Sequence, residues 1–201
     1  MHAARAVRHA GSVVPAHPRA LRPLLRSLAA DCHSVLDVGT GLMSSLELVG
    51  CPVKLGLDVH RPYLERRRVP DAVPINASAT DLERLFVAGA VDLVTLIDVV
   101  EHFPPDDARE VLRQAESVAA RRVVLFTPRG EFPQEGFDAF GLGGEEFQRH
   151  RSAWEPDDLA ALGYRVIVLT GYHTSGNASF AEAFGPDAQP VDALLAYKDH
   201  R

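Results

Sequence analysis

The stretch "VLDVGTGLMSS" at residues 35–45 places an acid, Asp37, two positions before Gly39, with Gly41 following. Glycines at that spacing let a backbone turn tightly and approach a ligand closely. The loop follows an apolar run and opens what reads as a helix, the setting of a nucleotide-binding turn. As a dinucleotide fingerprint it is incomplete, because Ser44 or Met43 stands where the third glycine belongs. Asp37 discriminates further: a carboxylate in a partly dry site repels a diphosphate and attracts a ligand carrying an amine. A second acid, Asp58, ends the next apolar run, where a carboxylate suits two ribose hydroxyls. The plain alternatives make Asp37 a turn residue and Asp58 a helix cap.

Proton-handling candidates come next. His102 follows Glu101 in "DVVEH", and His150 lies in "FQRHRSAWEPDDL". Either imidazole, or Glu101, could take a proton from a hydroxyl nucleophile. His173 ends a later apolar run and is a weaker candidate. Phe132, Phe137, Phe140 and Phe147, with Trp154 nearby, could form an aromatic wall beside His150 for a planar or apolar acceptor. The plain alternatives are a turn cap at His102 and phenylalanines that only anchor their loop.

These residues need a scaffold, and the hydrophobic pattern supplies one. "SVLDVG", "VKLGLDV", "AVPINA", "VDLVTLIDVV" and "RRVVLFTP" read as strands. "LMSSLELV", "PYLERRR", "DLERLFVAG" and "PPDDAREVLRQAESVAA" read as the helices between them. In the last of these, Ala108, Val111, Leu112, Ala115 and Val118 share one face. Strict alternation predicts a parallel sheet with helices on both faces. Residues 129–150 read as a long loop rich in glycine and phenylalanine. After it, "EPDDLAALG" reads as a helix, and "YRVIVLTGY" and "PVDALLAYKD" as strands. No good helical segment joins those two strands, which predicts an antiparallel pair at one edge.

The 201 residues and 46% hydrophobic content allow one domain with a full core. We expect a basic arm and short helix over residues 1–30 and the main domain over 31–201. The arm carries Arg5, Arg8, Arg19, Arg22 and Arg26 and no acid. A transit-peptide reading of it is opposed by Pro15, Pro18 and Pro23, which break a long amphipathic helix. The net charge of −6 argues against a nucleic-acid partner. No run is apolar over the ~20 residues a membrane span needs. Two cysteines without metal-type spacing, Cys32 and Cys51, point to a reducing, cytoplasmic setting.

In order, "VLDVGTG", "GLDVH", "VDLVTLIDVVEHF" and "VVLFTP" resemble the class I S-adenosylmethionine (SAM)-dependent methyltransferases, over roughly residues 34–128. The third stretch is similar to that of ubiquinone-pathway-type O-methyltransferases. The resemblance implies a Rossmann-like, doubly wound α/β fold with seven strands, mostly parallel and the last antiparallel. It implies SAM as cofactor, with Asp37, Gly39, Thr40 and Gly41 at its amino-acid end. Asp58 would hold the ribose, Val59 or His60 would lie beside the adenine, and Asp98 would lie near the methyl group. Met43 departs from a frequent glycine. Ser78 and Ala79 stand where the family often has an acid that reads the adenine, which leaves that task to Ser78 and backbone groups.

The leading expectation is a transferase acting on a small-molecule acceptor, at oxygen, with Glu101, His102 and His150 catalytic and no metal ligand. One alternative is a non-catalytic SAM-binding or assembly protein of the same fold. A second is a metal-assisted ribose or diol O-methyltransferase. Asp98, Glu101, His102 and His150 with Trp154 are similar in pattern to the small-RNA 3′-terminal ribose methyltransferases, where such residues hold a divalent metal. An NAD-dependent enzyme is a third, disfavoured because a chain this short leaves little room for a substrate domain.

Overall fold

The computed structural model describes residues 13–200, so Arg5 and Arg8 of the expected arm lie outside the described residues. The chain runs β1 (Val13–Ala16), α1 (Leu21–Leu28), β2 (Ser34–Val38), β3 (Val53–Asp58), α2 (Arg61–Glu65), β4 (Val73–Asn76), α3 (Leu82–Leu85), β5 (Val91–Ile97) and α4 (Pro105–Val118). It continues through β6 (Ala119–Pro128), α5 (Pro156–Ala161), β7 (Arg165–His173), α6 (Ala178–Phe184) and β8 (Val191–Asp199). All eight strands join one sheet in the order β1-β7-β8-β6-β5-β2-β3-β4. β8 is antiparallel to both of its neighbours, and every other pairing is parallel.

The central strands are apolar on both sides because helices cover both faces. On one face Leu36, Val94 and Leu96 pack with Val111, Leu112, Ala115 and Val118 of α4, the stripe its spacing predicts. Pro105 starts that helix, and Asp106 and Asp107 in its first turn complement the dipole. On the other face Leu21 and Leu25 of α1 pack with Val35, Leu93 and Phe126. β2 pairs with β3 on one side and β5 on the other. The chain therefore reverses direction across the sheet there, opening a crevice at the carboxyl ends of these strands.

Three expectations change. Among the described residues the sheet has eight strands, because Val13–Ala16 adds an edge beside β7. Its Pro15 lacks an N–H, which an edge strand tolerates and which made the segment read as an arm. β7 and β8 are antiparallel as expected, yet α6 lies between them. Asn177 caps it by accepting from Ser179 N and Phe180 N, but it buries only Phe180, so no periodic stripe marks it.

The third change concerns "LMSSLELV", which forms one 3-10 turn, Ser45–Glu47, in place of the expected helix. Gly39, Gly41 and Met43 alternate into the left-handed region at φ 65°, 52° and 64°. A helix cannot begin until that alternation ends. The Met43 side chain is fully buried beneath the loop against β3. A Cβ on Gly56 would lie 2.6 Å from Met43 Cε and 3.0 Å from Thr40 Cγ2. Gly56→Ala is therefore expected to lower stability to urea by about 1–3 kcal/mol through overpacking. The loss should be smaller in a Met43→Ala background, where Cε is gone. Equal losses in both backgrounds would show that Met43 is not the obstacle.

Candidate active site

Asp37 ends β2 beneath the glycine loop, with only 1% of its surface exposed. It accepts hydrogen bonds from Thr40 Oγ1 and Thr95 Oγ1, each at 2.6 Å, and from Ser45 Oγ. Burial pushes its carboxyl up, and the three hydroxyls oppose that. The geometry corrects the expectation of direct contact between Asp37 and a ligand amine. The carboxylate faces the underside of the loop and does not line the cleft. Gly39 fits for a packing reason: a Cβ there would sit 2.6 Å from Val99 Cγ2.

Asp58, at the end of β3, does line the cleft. Its Oδ2 accepts from Gly41 N and its Oδ1 from His60 N, both at 2.8 Å. One carboxylate thus ties the glycine loop to the turn after β3. Each oxygen keeps a further lone pair for a ligand hydroxyl. Burial raises its pKa against those two backbone donors.

The cleft has a volume of about 350 Å³. Of the expected cofactor contacts, Gly39, Asp58, Val59, Ser78, Ala79 and Asp98 line it. Thr40 and Gly41 lie behind its wall, holding Asp37 and Asp58 respectively. His60 is also set back: its Nε2 meets Leu142 O at 2.9 Å and its ring packs edge-on against Tyr63. Ser78 lines the cleft and caps a 3-10 turn by accepting from Thr80 N, and its hydroxyl also meets Thr80 Oγ1 at 2.8 Å.

Residues 129–150 dock over this end of the sheet. Phe140 packs on Tyr63 and comes within 3.4 Å of where a Gly41 Cβ would be, and Phe147 lies against His60. The aromatic residues thus divide. Phe132 and Phe137 face a smaller chamber, Phe147 faces the cleft, and Phe140 covers the glycine loop. Trp154 departs from the expected wall. It is buried in the core with its indole N–H on Ser152 Oγ at 3.1 Å.

The smaller chamber, about 130 Å³, adjoins the cleft at Asp98 and His102. Asp98 adopts a left-handed φ of 55°, turning the chain sharply at the end of β5. A 3-10 turn, Val100–His102, follows and presents Glu101 and His102. Arg151 N and Ser152 N donate to Glu101 O at 2.7 and 3.1 Å, which pins the end of the long loop there. Consequently the rings of His102 and His150 lie 5.0 Å apart, although 48 positions separate them in the chain.

His150 Nδ1 meets Phe132 O at 2.7 Å; a carbonyl only accepts, so Nδ1 carries the proton and Nε2 keeps its lone pair. Glu101 is 2% exposed; its Oε2 accepts from Thr127 Oγ1 at 2.9 Å, while Oε1 has no partner. Burial raises both the Glu101 and Asp98 carboxyls, and the neighbouring Glu101 charge raises Asp98 further. Burial lowers His102, and it lowers His150 to about 4 with help from the His102 charge. Glu101, His102 and His150 each offer a ligand atom, all within 4.8 Å of one another; Asp98 is outside that set.

His173, the weakest candidate from the sequence, also lines the chamber, with both ring nitrogens buried and unpartnered. Gln134, Asn177 and Ser179 join it, while Thr95 supports Asp37 and Thr127 supports Glu101. Only β5 and β6 lining up at their carboxyl ends could have pointed to those threonines.

Comparison with known proteins places the fold. No family model and no curated protein matches the sequence. Among solved structures, a SAM-dependent methyltransferase from Archaeoglobus fulgidus aligns with TM-score 0.56 and 19% identity, over 90% of this chain and 94% of that one. Magnesium protoporphyrin IX methyltransferase from Synechocystis PCC 6803, solved with bound SAM, aligns with TM-score 0.57 and 14% identity, over 92% and 79%. The methyltransferase domain of bacterial CtHen1 aligns with TM-score 0.52 and 17% identity, over 89% and 96%. The chain therefore has the Rossmann-like fold of the class I SAM-dependent methyltransferases.

His173 carries a pH test. Burial, and secondarily the His150 charge, lower its pKa from 6.5 to about 4. The unfolded chain then binds more protons between those values, so stability falls as pH drops through that window. His173→Phe, among Phe126, Phe132 and Tyr172, should flatten that slope by on the order of 2 kcal/mol in urea titrations from pH 7 to 4.5. Parallel curves for the two proteins would contradict the buried neutral imidazole.

Proposed function

We propose that this protein is a SAM-dependent methyltransferase that transfers a methyl group to a hydroxyl of a small-molecule acceptor. The observation that carries the reading is the cleft at the sheet's reversal point, with Asp58 presenting its carboxylate at the end of β3. Four acids line that cleft, Asp58, Asp98, Asp107 and Glu146, against one cation, Arg151. Such walls favour a cationic nucleoside over an anionic one. The loop also leads into a single 3-10 turn, so the helix N-terminus that a diphosphate uses is missing from it.

When bound, SAM supplies a methyl carbon already activated by sulfonium. Asp58 accepts from the ribose hydroxyls, Val59 and Ser78 flank the base, and Asp98 lies at the passage to the chamber. Glu101, with its free Oε1, takes the acceptor's proton, and His102 and His150 orient the hydroxyl. The buried thiols Cys32 and Cys51 are both free, which supports a reducing, cytoplasmic setting. Among the described residues no helix is long and apolar enough to cross a membrane.

A second reading is favoured by one observation, the convergence of Glu101, His102 and His150 ligand atoms. The carboxylate and the two imidazole nitrogens fit a divalent cation of the zinc or manganese type. Held there, it would acidify a hydroxyl of a diol or terminal ribose.

Calorimetry with SAM, and with NAD as control, tests the main reading. We expect SAM to bind, NAD not to compete, and Asp58→Ala to weaken SAM by about 1–3 kcal/mol through lost charge-assisted hydrogen bonds. Absence of heat and of a thermal shift at millimolar SAM would overturn it. For the metal reading, elemental analysis should find one equivalent of metal in the wild type and less in His150→Ala. Unchanged activity after strong chelation would exclude it.

A further inference from the structure

The chamber beyond Asp98 is a built site. Two of its buried side chains have hydrogen-bonding capacity that nothing in the fold uses. Glu101 is 2% exposed with Oε1 unpartnered, and His173 is 5% exposed with Nδ1 and Nε2 both unpartnered. Buried polar atoms of this kind are rarely left without partners, because each costs free energy comparable to a lost hydrogen bond. His150 adds an Nε2 lone pair, since its Nδ1 already donates to Phe132 O. The walls thus offer unfilled acceptors on Glu101 and His150 and a buried imidazole, His173, that can both donate and accept, with the side-chain amides of Gln134, Gln148 and Asn177 around them.

The size is also defined. At about 130 Å³ the chamber is slightly smaller than the roughly 150 Å³ engineered cavity that takes one benzene. Phe132 and Phe137 provide aromatic surface, and Ser179 stands at the start of α6 on the remaining side. Among the described residues no Lys or Arg lines it, so a carboxylate or phosphate would find no counter-charge. The Asp98 and Glu101 carboxyls oppose an anion further, whereas a hydroxyl can donate to Glu101 and accept from His173.

Resting on the methyltransferase reading above, we infer that this chamber receives the acceptor's reacting end as a hydroxyl-bearing ring, free of anionic groups and no larger than one six-membered ring. Acceptors that carry a carboxylate or phosphate on that ring are rejected there. The rest of a larger acceptor would extend back past Asp98 and His102, where the chamber meets the cleft.

The test uses the full chain with S-adenosylhomocysteine and a chelator present. Saturation-transfer NMR measures binding of two ring probes: phenol and benzoate. Phenol should bind at least tenfold more tightly than benzoate. Ser179→Phe, which fills the chamber, and His173→Phe, which removes the buried imidazole, should each weaken phenol at least tenfold while S-adenosylhomocysteine affinity is kept. That retained affinity shows both variants are folded. Equal binding of benzoate, or phenol binding unaffected in both variants, would overturn the inference. If S-adenosylhomocysteine itself does not bind, the methyltransferase reading fails. The same probes on the protein alone then decide whether the chamber still selects a neutral hydroxyl.

Discussion

A carboxylate buried under a loop is expensive unless its lone pairs are filled, and Asp37 meets that condition with hydroxyls from three places. Thr40 comes from the loop, Ser45 from the turn after it, and Thr95 from the neighbouring strand β5. These bonds hold the loop in a shape that no helix could share, with Gly39, Gly41 and Met43 alternating into left-handed conformations. That shape in turn aims Gly41 N at Asp58 and lets Gly39 settle against Val99. Buried polar networks of this kind rigidify only when every member is satisfied. The position of the Asp58 carboxylate on the cleft wall follows from the Asp37 network behind it.

The same logic of strand ends builds the second half of the site. β5 stops at Asp98, whose left-handed turn throws the next residues across the sheet's edge. β6 stops at Thr127 and Pro128, and the Thr127 hydroxyl fixes Glu101. The end of the long loop then docks its own N–H groups on Glu101 O and carries His150 to His102. Residues distant in sequence are thereby collected by backbone hydrogen bonds, and the side chains retain free lone pairs for chemistry. The cleft and the chamber meet at Asp98 and His102.

Much of this was legible in the amino-acid sequence because local pattern and burial agree. The α4 stripe, the central strands and the strand-end position of Asp58 are all set by periodicity and turn chemistry, whereas the antiparallel pairing of β7 and β8 holds although α6, which carries no periodic stripe, lies between them. Sequence places Asp37 on β2 without revealing that three hydroxyls from separate segments surround it. The helix after Gly41 was misread for the same reason, since Ser and Thr side chains that bind Asp37 compete with helical hydrogen bonding. β1 was invisible because four residues with a proline carry no period. His173 and the α6 residues were undervalued because only tertiary docking of α6 against Phe132 closes the chamber.

The most direct measurement is a crystal structure of the protein with S-adenosylhomocysteine bound. The account expects both ribose hydroxyls within hydrogen-bonding distance of Asp58, and Asp37 still engaged by Thr40, Ser45 and Thr95 without touching the ligand. A ligand amine seated directly on Asp37 with that network broken, or a nucleoside lying away from Asp58, would contradict it.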